Sequence, residues 1–212
     1  TTFSLIISSS ILAYGALRAN YFPIFVLVLA FLTISLAFIR MALALRDAKI
    51  VSEDREHART DELTGLPNRR RFIAELELLR RRTGTLLLLD LDGFKAVNDN
   101  YGHEVGDQLL KQITLRFNRV LPSDVLIARL GGDEFGVVVY GQRNIGNDVA
   151  LALRATCTYP FTLSVGDVKV GVSIGSVTTE GPTTTKEALL KRADTAMYEA
   201  KRNGTGYVQS RN

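Results

Sequence analysis

Charge is absent from two stretches at the front of the chain, residues 2–17 and, after Arg18-Ala-Asn20, the run from Tyr21 to Ile39. The second is close to the ~20 apolar residues that a membrane-crossing helix requires; a buried core helix is the alternative. The first is shorter and Ser-rich, with no initiator Met and no basic segment before it, so it reads as the remnant of a longer membrane part rather than a signal peptide. Arg40, Arg46, Lys49, Arg55 and Arg59 follow the second stretch, whereas only Arg18 separates the two. The positive-inside rule therefore puts the rest of the chain in the cytoplasm.

Beyond the apolar front the pattern changes period. Leu43 to Thr60 is charged and helical in character; Ala44, Val51 and Ala58 recur every seven residues, but the alternate seam positions hold Ala48, Arg55 and Glu62, a poor coiled-coil core. Thr64-Gly65-Leu66-Pro67 breaks it, and Asn68 is a good N-cap for a helix with Phe72, Leu76 and Leu79 on one face. An apolar strand over 86–91 follows, then a short helix over 94–98 and a Gly-rich bend over 101–106. A longer helix from Asp107 presents Leu109, Leu110, Ile113, Phe117 and Val120 as its buried face. Two β-branched runs over 125–130 and 135–140 flank Gly131-Gly132 as a hairpin. A helix over 147–156, strands over 161–165 and 169–177, and a helix over 186–202 complete the order. Strands alternating with helices, one hairpin among them, predict an α/β (α+β) fold with a mixed central sheet and helices packed on it.

Two places in this pattern carry chemistry. The hairpin turn, Arg129-Leu-Gly-Gly-Asp-Glu-Phe-Gly136, sets Asp133 and Glu134 at the end of a sheet, as a solvated acidic turn or a divalent-cation site. The strand Thr85-Leu-Leu-Leu-Leu-Asp90-Leu-Asp92 ends in two more carboxylates. Asp92 has a structural use as the N-cap of the helix beginning at Gly93; Asp90 has none. Carboxylates from separate strand ends suit Mg²⁺, which binds through one or two of them plus water and substrate phosphates.

The chain has 26 Lys and Arg against 22 Asp and Glu, a formal net charge of +4. Much of the basic excess lies in the stretch after the second apolar run and in Arg69-Arg70-Arg71 and Arg80-Arg81-Arg82, positions that suit anionic lipid heads and phosphates. No aromatic-interleaved basic stripe is present, so a nucleic acid is not an expected partner. One cysteine, Cys157, excludes an intramolecular disulfide, and with only two histidines a zinc site is not expected.

Four separated blocks give the chain a resemblance over residues 60–210: Asp61-Glu-Leu-Thr-Gly-Leu-Pro-Asn-Arg-Arg70; Asp90-Leu-Asp-Gly-Phe-Lys95 with Asn98-Asp-Asn-Tyr-Gly-His-Glu-Val-Gly-Asp107; Gly131-Gly-Asp-Glu-Phe135; and Ala193-Asp-Thr-Ala-Met-Tyr-Glu-Ala-Lys201. The sequence resembles the GGDEF family of bacterial diguanylate cyclases, which join two GTP into cyclic di-GMP with release of pyrophosphate. The resemblance implies a palm-like cyclase fold. It implies Mg²⁺ (or Mn²⁺) held by Asp90, the Leu91 carbonyl, Asp133 and Glu134, with Glu134 serving a second ion or the attacking hydroxyl. It further implies guanine recognition by Asn98 and Asp107, triphosphate contacts from Lys95, Lys201 and His103, and a homodimer as the active form, since each half-reaction uses one GTP from each domain. The expected organisation is a membrane segment of two helices over 1–42, a linker helix over 43–60 and a cyclase domain over 61–212, in a multi-pass protein of the bacterial inner membrane. A catalytically silent GTP-binding domain that regulates a partner or a downstream phosphodiesterase domain is the alternative.

The chain departs from the family pattern twice. Thr205 stands where a basic residue is usual four places after Lys201, which removes one phosphate contact. The inhibitory Arg-x-x-Asp is also missing, because Leu121 lies three places before Asp124. Turnover that micromolar cyclic di-GMP does not slow is the expected outcome in an initial-rate assay; inhibition abolished by Asp124→Ala would contradict it.

Overall fold

The computed structural model describes residues 24–57, 59–181 and 184–210, with Ile7, Ser10 and Tyr14, and divides into two units, Thr1–Ala58 and Arg59–Asn212. The first apolar stretch, 2–17, lies almost wholly outside the described residues. In the first unit, helix α1 (Ile24–His57) runs unbroken from the second apolar stretch into the charged segment. Its window Val28–Arg46 is 19 residues long with mean hydropathy 2.3, and none of it is buried. Phe31 and Phe38 are among its exposed side chains. It is the one helix among the described residues long and apolar enough to cross a membrane.

The second unit is built on a five-stranded sheet in the order β2-β3-β1-β6-β7, from β1 (Thr83–Asp92), β2 (Leu126–Gly131), β3 (Glu134–Tyr140), β6 (Gly171–Glu180) and β7 (Tyr207–Gln209). All neighbours are antiparallel except β6 and β7. β4 (Phe161–Leu163) and β5 (Gly166–Val168) form a separate small hairpin. The helices are α2 (Arg69–Leu79), α3 (Phe94–Tyr101), α4 (His103–Val120), α5 (Arg143–Thr156) and α6 (Lys186–Asn203).

β1 explains the layering. Successive strand side chains point to opposite faces, so Leu87, Leu89 and Leu91 join a core with Leu109, Ile113 and Phe117 of α4 and Val149 and Leu153 of α5. Leu86 and Leu88 join a second core with Phe72, Leu76 and Leu79 of α2 and Leu189 and Ala193 of α6. A continuous apolar run is therefore what this strand needs, as its sequence predicted. Both cores lie entirely within 59–212. Asn68 caps α2 as expected, its side chain accepting from the Arg70 and Arg71 N–H groups.

Several expectations are corrected. Helix α4 begins at His103, so the bend over 101–106 shrinks to Gly102, and Val120, the last residue of α4, is 40% exposed rather than buried. Asp92 does not cap α3: the cap is Gly93, without a side-chain hydrogen bond, and β1 runs on through Asp92. Strand β7 was not anticipated, because three residues carry too little periodicity. Cys157 is buried, which pushes its thiol up to about 11.

α6 approaches β6 through Gly175: a Cβ there would meet the Met197 N and Ala193 O backbone atoms, with Met197 Cα at 2.7 Å. Backbone cannot give way as a side-chain tip can. Gly175→Ala is expected to destabilise the 59–212 domain by at least ~1–3 kcal/mol in urea unfolding; an unchanged midpoint would show that α6 shifts freely.

Candidate active site

The hairpin between β2 and β3 turns at Gly132-Asp133, where Gly132 takes φ 51°, a left-handed value that suits glycine. Leu130 is an extra residue in β2, since Arg129 pairs Phe135 and Gly131 pairs Glu134. Three hydrogen bonds pin the turn by two of its carbonyls. The Gly132 oxygen accepts from Arg129 Nε at 3.0 Å and Nη2 at 2.9 Å, and the Asp133 oxygen accepts from the Leu91 N–H at 3.3 Å.

Arg129 also reaches back to the loop that leads into the domain. Its Nη1 donates to Asp61 Oδ1 at 3.1 Å and Oδ2 at 3.3 Å, and its backbone N–H donates to the Pro67 oxygen. Asp61 Oδ1 accepts in addition from Thr64 N and Thr64 Oγ1. Burial pushes the Asp61 carboxyl up, but the bonds from Thr64 and Arg129 and the Arg129 charge outweigh it and leave it below its ordinary value. The sequence blocks around Asp61 and Gly131 are thus one structural unit.

Two of the strand-end carboxylates, Asp90 and Glu134, lie on the sheet face that carries α2 and α6. Asp90 stands directly opposite Glu134 on β3 and opposite Ser173 on β6, so two carboxylates share one cross-strand pair, an arrangement that like charges disfavour unless a cation lies between them. One of the two has a cation on it: Lys201 Nζ, from the last turn of α6, donates to Asp90 Oδ1 at 2.5 Å. That bond raises the Lys201 pKa, and the charges of Asp90, Asp92 and Asp133 raise it further. Asp92 is held by Ser173 Oγ, which donates to Asp92 Oδ1 at 2.8 Å. Asp133 is half-buried and Glu134 exposed.

A second corner lies between α3 and α4. The Asn98 side chain rests against Gly106, where any Cβ would overlap its Oδ1. That oxygen is buried and has no hydrogen-bond partner, a costly state unless a ligand donates to it. Gly106 directly precedes Asp107, which is exposed on α4. Lys95 and His103 are exposed in the first turns of α3 and α4. Thr205 sits in the turn that ends α6, its N–H on the Ala200 oxygen, and Leu121 packs partly against the core.

The donor set fits Mg²⁺. Among the described residues no three Asp, Glu, His or Cys side chains form a cage by themselves, and Mg²⁺ needs none, since it completes its shell with water and phosphate. Asp90 already draws an ammonium.

A profile described as "Diguanylate cyclase, GGDEF domain" matches residues 58–206. The chain belongs to the GGDEF family. It is 38% identical over 164 residues to the response regulator PleD of Caulobacter vibrioides, covering 72% of this chain and 36% of that protein. It is 39% identical over 161 residues to MucR of Pseudomonas aeruginosa, a bifunctional diguanylate cyclase/cyclic di-GMP phosphodiesterase, covering 71% of this chain and 23% of that protein. The chain therefore spans only about a third and a quarter of these relatives. Among solved structures, the GGDEF domain of DgcB from Caulobacter crescentus, in complex with c-di-GMP, matches with TM-score 0.67 and 28% identity over 72% of this chain and 96% of that one. The GGDEF fold, its mixed sheet and its flanking helices are thus common to this chain and its relatives.

Sequence reasoning missed Arg129 and Asp61 as partners, and Ser173. Nothing local marks them: the first pair spans 68 residues and the Ser173–Asp92 contact 81. A depressed folded-state pKa means that the Asp61 contribution is present above the ordinary value of 3.8 and is lost as pH falls through the lower folded value. Asp61→Asn is accordingly expected to cost about 1 kcal/mol at pH 6, with the difference closing below about pH 4 in urea titrations. A gap independent of pH would refute the ion pair.

Proposed function

We propose that the 59–212 domain is a diguanylate cyclase that condenses two GTP into cyclic di-GMP. The observation that carries the reading is the Asp90–Glu134 cross-strand pair with an ammonium on Asp90, in a chain of the GGDEF family. In each half-reaction a GTP 3′-oxygen forms a bond to the α-phosphorus of the other GTP, the bond to pyrophosphate breaks, and the hydroxyl proton is lost. Asp90, the Leu91 carbonyl, Asp133 and Glu134 would hold Mg²⁺ (or Mn²⁺), which when bound supplies charge neutralisation and a more acidic attacking hydroxyl.

The protein groups divide the remaining work. The partnerless Asn98 oxygen supports a guanine site, because it would accept from the base while Asp107 takes neighbouring N–H groups. Lys95, His103 and Lys201 would offset triphosphate charge, with Thr205 supplying none. Glu134 would accept the proton or serve a second ion. One domain holds one GTP, so two copies must face each other, and the homodimer is the reacting unit.

The α1 window supports a membrane anchor, with the domain on the side of Arg40 and Arg46, the cytoplasmic face of a bacterial inner membrane. The basic and apolar order of 1–42, the linker over 43–60 and the cyclase over 61–212 remain our reading of the organisation.

Purified domain with GTP and Mg²⁺ is expected to form cyclic di-GMP and pyrophosphate, faster when two copies are covalently paired. Glu134→Gln is expected to lower turnover by ~10²-fold or more while GTP is still bound. Binding of GTP without turnover by the unaltered domain would favour instead a silent regulatory domain.

A further inference from the structure

Lys201 does something in this structure that a phosphate-binding lysine need not do: it sits on a metal ligand. Helix α6 is fixed in place by its backbone approach to Gly175 and by buried Ala193, Ala196 and Ala200. The helix therefore delivers the Lys201 stem to the end of β1 whatever the occupancy of the site. The tip is freer. The Lys201 side chain is 48% exposed and that of Asp90 only 16%, so the lysine has more room to swing than the carboxylate.

We propose that the Lys201 ammonium is a built-in competitor of the catalytic ion, occupying Asp90 until Mg²⁺ arrives with a nucleotide whose phosphates then receive the displaced lysine. The inference rests on the cyclase reading above. Two cations cannot share one half-buried carboxylate without strong repulsion. Mg²⁺ alone would have to expel Lys201 toward Asp92 and Asp133, both close enough to act on its charge. Of these, Asp92 is already oriented, by the bond from the buried Ser173 and by Gly171, which leaves it room. A triphosphate supplies far more negative charge at the same place. Metal and nucleotide therefore bind cooperatively, each raising the affinity for the other by the same factor, and the site stays closed to free Mg²⁺.

The test reads binding, not turnover. Free Mn²⁺ is followed by its EPR signal during titration of the 59–212 domain, with and without a GTP analogue whose α–β phosphate bridge cannot be cleaved. Lys201→Met is expected to bind Mn²⁺ without nucleotide ~10-fold or more tightly than the unaltered domain, the scale on which one nearby charge alters a carboxylate. The gain in Mn²⁺ affinity that the analogue confers should shrink by the same factor, leaving the part that comes from phosphate oxygens on the ion. Lys201→Gln serves as a second neutral variant, and circular dichroism checks that both fold. Asp90→Asn should abolish the tight Mn²⁺ binding of the Lys201 variants. If the neutral variants bind bare Mn²⁺ no better than the unaltered domain while all take up the analogue with Mn²⁺, the competitor idea is overturned and the cyclase reading stands. If no variant binds either Mn²⁺ or analogue, both fall.

Discussion

A strand buried on both faces has to end somewhere, and what it ends in is exposed to whatever the sheet edge faces. β1 is that strand. It pairs with β3 on one side and β6 on the other, and every residue from Gly84 to Leu89 is buried. Inside that stretch an ionised side chain would cost several kcal/mol, so charge can enter only where the strand emerges. Asp90 and Asp92 mark that point. Because β1 is central, its end is also flanked by the start of β3, which brings Glu134, and by the start of β6, which brings Ser173. The site is a consequence of three strand ends lying side by side.

Carboxylates at strand ends are useful only if the turn between β2 and β3 is stiff. Its carbonyls are taken by Arg129 and by the Leu91 N–H, leaving the Asp133 and Glu134 side chains free for other work. Arg129 is in turn neutralised by Asp61, in the loop through which the chain enters the domain. One guanidinium thus fastens the start of the domain to the acidic turn. Its fork geometry, with donors pointing to two acceptors, is something lysine could not reproduce.

Much of this was legible. The run of four leucines before Asp90 demanded a strand covered on both faces, and the buried faces of α2 and most of α4 followed from helical spacing. Element ends were less legible, because the residues that set them act at a distance. Asp92 looked like a helix cap from its neighbours alone, but β6 brings Ser173 within 2.8 Å and the strand continues through it. Val120 fitted the apolar stripe of its helix, but it is the helix's last residue and the core ends before it.

Local sequence determined most of the strands and helices, where charge could leave the core, and which residue types were available for metal and nucleotide, because periodicity, turns and burial act over a few residues. It determined nothing about who faces whom across the sheet. Strand register decided that Glu134 lies opposite Asp90, and the packing of α6 on Gly175 decided that Lys201 arrives at the same carboxylate from 111 residues away. Those meetings depend on how whole elements stack, and only the folded chain decides that.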